Sequence, residues 1–515
     1  MTKTLQLLIF FCTLNIFAQS GTLDSSFGTG GKVLTTVNGT EDRARGVVLQ
    51  DDGKIVVAGY TYSNVFGYDF LCIRYNTDGS LDSTFGTNGI ATFDLQIGSD
   101  DRAYSIDIQL DGKLVLAGFS DDGSDRNGAV LRLNTDGTLD TSFGTSGIAI
   151  TDVFESDIYK VVKIHHVTGN IVVGGTSYED TNESNGILAR YTSDGALDTS
   201  FNGSGKISAL EPVIGSNAEV IELIIEDLAI KSNGRITAVG WVNNLASSFP
   251  RSDHYQCRIN SDGTPDETFS EDGYDFDVYT TGWDRTFSVL MYPNDSFIVS
   301  GYTEYTATDY RTYIADTPSD GESGNSVDNW LQLSTSTQEV GYGMEFDNSG
   351  NVIIGGVSAD GNAGTASFFL TSVDNSNDYV INSSFGNSGF VTTDFGTVSF
   401  AYDLKVQSDD KIVLAGFSDN QVALARYNGN TLSTTDFEKA NNFSIYPNPV
   451  ENTLYFKMLN NEFDSEKYDI YNVLGKNVLT GSIHNTENVV NVENLAAGFY
   501  FIRIGNEVIK FVKND

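Results

Sequence analysis

Three cysteines, seven prolines and four histidines are spread over 515 residues, and 30 Lys and Arg face 69 Asp and Glu, a formal net charge of −39. Each shortage excludes something. Nucleic-acid binding rests on clustered Lys and Arg, which this charge balance argues against. Adhesion to an anionic membrane through a basic patch is excluded on the same ground. Stretches rich in Ala, Leu, Glu and Lys are almost absent, so the chain is not mostly helical. No HExxH, Walker A, GxSxG or CxxC pattern occurs. His165 and His166 are neighbours on an expected strand, so they point to opposite faces and cannot share a metal. His254 and His484 stand alone.

One apolar run stands out, Leu5 to Ala18, preceded by Lys3 and followed by Gln19 and Ser20. Its length suits the core of an export signal cleaved after Ala18 or Ser20, and it is short for a membrane span. No other run approaches the ~20 residues a span needs. Phe11 before Cys12 is too bulky for lipid-attachment processing. Cleavage leaves Cys72 and Cys257, far apart in sequence and expected as two reduced, half-buried thiols.

What the chain has is glycine (52) and 40% hydrophobic residues, with Val, Ile, Phe and Tyr set among Asp, Asn, Ser and Thr. That mixture reads as many short strands joined by tight turns. It also repeats. One block runs LDSSFGTGG (23–31), LDSTFGTNG (81–89), LDTSFGTSG (139–147) and LDTSFNGSG (197–205), with weaker copies at 265–273 and 381–389. Its phenylalanines are Phe27, Phe85, Phe143, Phe201, Phe269 and Phe385, and the first three intervals are each 58 residues. The last interval is 116, which places a degenerate copy near Asp328–Trp330. A second block, DDGKIVVAG and its relatives, has seven copies ending at Gly59, Gly118, Gly175, Gly240, Gly301, Gly356 and Gly416. A third, FLCIRYNTDG, is degraded near Tyr313 and Phe369.

Each unit holds about four strands, the signature of a propeller blade. The KIVVAG strand is apolar at consecutive positions, as a strand buried on both faces must be. Seven blades are expected, with Gly31–Thr36 completing the last one and leaving no long exposed edge. An open solenoid would need caps that the sequence does not supply. The repeat over 22–428 resembles the delta-60 repeat family, which implies a β-propeller and little about activity.

Asp24, Asp82, Asp140 and Asp198 precede the Phe at fixed spacing, where an Asp caps a tight turn. Arg74, Arg132, Arg190, Arg258 and Arg426 recur once per unit, and one Arg with one Asp per unit suggests a repeated ion pair within or between blades. A ring of these Arg lining a channel for an anion is the functional alternative. The turn around Asn76, Asp78 and Asp82 is a candidate for structural Ca²⁺, although it lacks the EF-hand spacing and terminal Glu. No other cofactor is implied.

The last ~75 residues differ from the rest. They carry Tyr446, Pro447, Asn448 and Pro449, then an IYNVLGK block ending in Gly475 and Lys476, then Gly498 and Tyr500, then a basic tail at Lys510 and Lys513. Alternation and turn spacing read as a small β-sandwich. These blocks resemble the type A C-terminal sorting domain of the type IX (Por) secretion system of Bacteroidetes. The resemblance implies the export machinery as partner and export across the outer membrane, followed by removal of the domain with release or surface attachment.

The expected organisation is all-β: a signal peptide over 1–20, a seven-bladed propeller over 22–428, a linker over 429–441 and a sorting β-sandwich over 442–515. The expected function is a secreted or cell-surface, non-enzymatic module that binds a glycan or protein through its blade loops. The alternatives are a propeller hydrolase or lyase acting on polysaccharide or peptide, and a structural surface spacer. A catalytic centre would be sought in the irregular units around Trp241, His254, Trp283, Arg285 and Trp330.

Overall fold

A computed structural model describes residues 19–429 and 443–513, apart from 38–39, 66, 97, 179–183, 209, 211–219, 245–251, 278–281, 307–308, 322–328, 332–337, 361–363, 377, 397, 447–449, 451, 459–464, 473–475, 485–488 and 505–506. The expected signal run and most of the expected linker lie outside these residues. The chain forms two compact units, Met1–Thr431 and Leu432–Asp515.

In the first unit, strand pairing gives seven antiparallel groups among the described residues, six of four strands and one of five, in which both Val380–Ile381 and Phe390–Thr393 pair with Thr365–Asp374. The innermost strands are Glu41–Leu49, Asp101–Ile108, Ser156–His165, Val220–Ile230, Asp284–Met291, Gln338–Phe346 and Ser399–Val406. Each pairs with a KIVVAG-type second strand, which pairs with a third, such as Ile55–Ser63 with Gly67–Tyr75. The second strands are buried along nearly their whole length because blades pack on both faces. The outermost strand of the last group is Lys32–Thr35, which pairs with Val422–Ala425. Lys32–Thr35 therefore completes the blade made by residues 399–427, and a hydrogen bond from Gly21 N to the Asn428 carbonyl (2.7 Å) ties the seam.

The recurring Arg and Asp form a clasp. Arg74 Nε donates to Asp82 Oδ2 at 2.8 Å, and its Nη1 reaches the Thr135 carbonyl one blade further on. The guanidinium lies 4.7 Å from the centroid of the fully buried Phe85. Asp82 Oδ1 accepts from Thr84 N and Oγ1, which caps the turn. The same set recurs at Arg132–Asp140, Arg190–Asp198 and Arg258–Asp266. Arg426–Asp24 closes the ring, with Arg426 reaching the Thr77 carbonyl. These Arg join neighbouring blades, and none of them lines the channel. Where the third block degrades, the Arg position holds Asp316 and Ser372, opposite Ile298 and Ile353 of the second strands. Asn329–Trp330, where a degenerate LDSSF copy was expected nearby, is an outermost strand pairing with Tyr313 and Ile314, and Asp328 lies outside the described residues.

Cys72 and Cys257 are fully buried rather than half-buried, each inside an inter-blade core. Burial pushes the Cys257 thiol up to about 12, so it stays protonated and unreactive.

The second unit has a three-stranded sheet and a four-stranded one, the latter ordered Asn477–His484, Ser465–Asn472, Gly498–Ile504, Glu507–Lys513. Its core includes Leu454, Ile470, Tyr500, Ile502 and Phe511.

Candidate functional site

Seven innermost strands surround one central cavity of about 150 Å³. Each of them carries a β-bulge at the same place: pairing with the second strand skips from Ala44 to Gly46, and likewise at the six equivalent places, with a second shift between Val220 and Glu222 in Val220–Ile230. A bulge adds one residue that the partner strand does not match and re-aims its side chain. The seven extra residues are Arg45, Tyr104, Lys160, Glu226, Phe287, Tyr342 and Tyr402. All seven are half-buried and line the cavity.

The bulge explains the invariant last glycine of the second block. A Cβ on Gly59, Gly118, Gly175, Gly240, Gly301, Gly356 or Gly416 would lie 1.8–1.9 Å from the carbonyl oxygen two residues before the bulged one. No side chain fits there, so the glycine is the complement of the bulge.

The bulged residues touch one another around the ring. Phe287 and Tyr342 have centroids 4.8 Å apart, and Tyr342 and Tyr402 are 5.3 Å apart. The Arg45 guanidinium lies over Tyr402 at 3.9 Å and near Tyr104 at 5.4 Å, and Lys160 Nζ sits 4.6 Å from the Tyr104 centroid. Glu226, the ring's one carboxylate, accepts from the Trp241 indole at 3.2 Å. Further along the same strands, cavity-lining carboxylates satisfy backbone donors that the inner sheet edge leaves open. Asp403 Oδ2 accepts from Val47 N at 2.9 Å, Asp107 from Ile164 N at 2.8 Å and Asp227 from Val289 N at 3.0 Å. Lys163 stands 3.5 Å from Asp227 and Lys405 3.2 Å from Glu345. The nearby Asp227 carboxylate holds the Lys163 ammonium's pKa up.

At the end where the innermost strands begin, Asp69 is buried and its Oδ1 has no hydrogen-bond partner. Burial, helped by the Asp94 and Asp101 charges, pushes its pKa up to about 6. The folded state therefore holds that proton more tightly than the unfolded chain does. Ionisation opposes folding above about pH 6, and this opposition fades as pH falls toward 4. Asp69→Asn is expected to gain about 1–2 kcal/mol at pH 8 and nothing near pH 4, read from urea melts at the two pH values.

Of the irregular-unit residues, Trp241, Trp283 and Arg285 come together: the guanidinium is 3.9 Å from the Trp241 ring and 5.3 Å from that of Trp283. His254 is buried against Thr286 and Tyr313, and burial pushes its pKa well below the usual 6.5, keeping it neutral. Trp330 lies apart, beside Tyr305 on an outermost strand. His165 is buried, bonded to Thr168 and the Ser232 carbonyl, while His166 is exposed. The His484 side chain lies outside the described residues. In the candidate Ca²⁺ turn, Asp78 accepts from Ser80 while Asp82 faces Arg74, so the two carboxylates serve different partners. Among the described residues, no group of three His, Cys, Asp or Glu could hold a metal.

In the second unit, Gly498 sits opposite Lys513 in the ladder, and Tyr500 sits opposite Phe511, with ring centroids 5.6 Å apart. Tyr500 also faces Asn472, whose side chain accepts from the Lys476 amide at 3.0 Å. Gly498, Tyr500, Lys476 and the buried Lys513 thus gather at one end of the four-stranded sheet. Tyr446 and Lys510 lie on strands whose side chains are not described there, and Pro447, Asn448, Pro449 and Gly475 fall outside the described residues.

Residues 444–514 match the secretion system C-terminal sorting domain, the Por secretion tail. Residues 50–85, 109–143, 168–201 and 407–430 match a domain of unknown function, the DUF5122 beta-propeller. No curated protein matches the chain. Among solved structures, an α-L-arabinanase of Penicillium chrysogenum complexed with arabinobiose is 13% identical, with a TM-score of 0.39 over 80% of this chain and 97% of that one. Polysaccharide lyase Uly1 is 9% identical, with a TM-score of 0.40 over 76% and 91%. Drosophila Plexin A in complex with Semaphorin 1b is 7% identical, with a TM-score of 0.40 over 80% and 88%. None of the three reaches a TM-score of 0.5, and none bears on what this chain binds. The chain is an all-β propeller protein carrying a type IX sorting tail, which directs it to the cell surface or the extracellular space.

Proposed function

We propose that the propeller is a non-enzymatic binding module that takes a glycan or protein ligand at its channel mouth, outside the cell. The observation that carries this reading is the ring of bulged residues. Blades otherwise built alike present seven side chains there, aromatic at four positions, cationic at two and acidic at one. Aromatic faces with a few placed polar groups are what a small-ligand site needs. Glycoside hydrolysis uses two carboxyl groups, and the ring has Glu226 alone. The cavity-lining Asp107, Asp227 and Asp403 already accept backbone N–H groups.

With this reading goes a division into a leader over 1–20, the propeller over 22–428, a linker over 429–441 and the sorting domain over 442–515. In that last domain, the Tyr446–Pro449 block and the Gly498, Tyr500 and Lys513 end of the sheet would meet the export machinery. The test incubates the full chain with a panel of polysaccharides and extracellular proteins, and follows co-sedimentation and product release. Retention without products is expected. Released products would make the protein an enzyme, and neither signal would favour a spacer; either result overturns the reading.

A further inference from the structure

The cations around the central cavity are of two kinds. Lys163 and Lys405 have carboxylates at 3.5 and 3.2 Å, and near the start of the innermost strands Arg43 and Arg102 have Glu41 and Asp100 at 2.7 Å each. Arg45 and Lys160 have none within 4.0 Å among the described residues, in a chain with 69 acidic groups to choose from. Arg45 is packed among Tyr60, Tyr104 and Tyr402, and its Nε is buried without a hydrogen-bond partner. Its Nη2 has one long contact, 3.5 Å to the Tyr60 hydroxyl. Taking a guanidinium out of water without a counter-charge is costly. A bound anion would offset that cost, and the arrangement would persist if an anion is what it serves.

Arg45 and Lys160 flank the same ring, Tyr104, at 5.4 and 4.6 Å. An anionic group over that edge of the mouth would meet both. Glu226, next to Lys160 around the ring, is held by the Trp241 indole. The cavity, at about 150 Å³, is below the ~300–1,000 Å³ of a site that engulfs a drug-sized ligand. It admits the end of a ligand, with the rest lying across the aromatic rings. Aromatic faces suit the C–H faces of sugar rings.

We propose that the mouth seats the terminal carboxylate-bearing sugar of an acidic oligosaccharide, with Arg45 and Lys160 taking the carboxylate and Tyr104 and Tyr402 flanking the ring. This rests on the reading of the mouth as a binding site and names its ligand class. The test is titration calorimetry of the full chain with oligogalacturonate, alginate oligosaccharides and oligoglucuronate. The controls are their neutral methyl esters, neutral galacto-oligosaccharides and a sulfated galactan oligosaccharide. At least one acid is expected to bind at least ~10-fold more tightly than its methyl ester, the scale of one charge-assisted contact. Arg45→Met and, separately, Lys160→Met are each expected to remove most of that preference while leaving the melting temperature in place.

Ester and acid binding equally, both variants keeping the preference, or the sulfated sugar alone binding would each overturn the proposal. If neutral sugars bind and Tyr342→Ala weakens them, the mouth remains a binding site and only the anionic ligand is lost. If no saccharide binds, the proposal fails, and the protein arm of the panel decides whether the mouth is a binding site at all.

Discussion

Gly118→Ala is expected to lose about 3–5 kcal/mol of stability, the scale of severe overpacking against rigid backbone. The added methyl would lie 1.8 Å from the Arg102 carbonyl oxygen and 2.8 Å from the Ala103 Cα. Neither is a side-chain end that can swing away. The strand carrying Gly118 is buried along seven of its eight residues between neighbouring blades, so it cannot retreat. Relief would require straightening the bulge, which turns Tyr104 out of the channel mouth. The same substitution therefore links stability to the site. A thermal melt within a few degrees of the wild type would show that bulge and glycine are not complementary.

Deleting residues 442–515 is expected to drop the protein at the cell surface and in the medium to background, in cells that carry the type IX machinery. The propeller's closure does not draw on the deleted residues. Lys32–Thr35 pairs with Val422–Ala425, Arg426 with Asp24, and Gly21 with Asn428. The truncated chain should therefore fold, remain within the cell envelope and keep the wild-type β-sheet circular dichroism. Undiminished surface display would remove the tail as the export determinant. Loss of both display and fold would mean the tail is needed for folding instead.

The propeller was legible because its units repeat. The clasp uses the same Arg, Asp and Phe at five blade junctions, so periodicity exposed all three together. The ring closure followed from where the repeats start and stop. The mouth was not legible for the opposite reason. Its position recurs, but the residue changes from Arg45 to Tyr104 to Lys160 to Glu226, so no shared letter marks it. The signal was indirect: the invariant glycine lies 14 residues after the bulged residue in six blades and 15 after Lys160. Reading that glycine as a strand end hid its role as the partner of a bulge. Of the irregular-region residues, Trp241, Trp283 and Arg285 come together, His254 is a buried neutral histidine and Trp330 sits on an outermost strand. The two thiols, expected half-buried, are fully buried because blades packed on both faces expose neither side of a strand.

Hydrogen exchange of the full chain, with and without a saturating retained ligand, locates the ligand on the fold. Slowed exchange is expected at the bulged segments, such as 44–46, 103–105 and 402–403, with the turns at the far ends of the same strands, 51–53 and 110–112, unchanged. Protection confined to those turns, or to the outermost strands, would contradict the proposed site and place the binding surface away from the channel mouth.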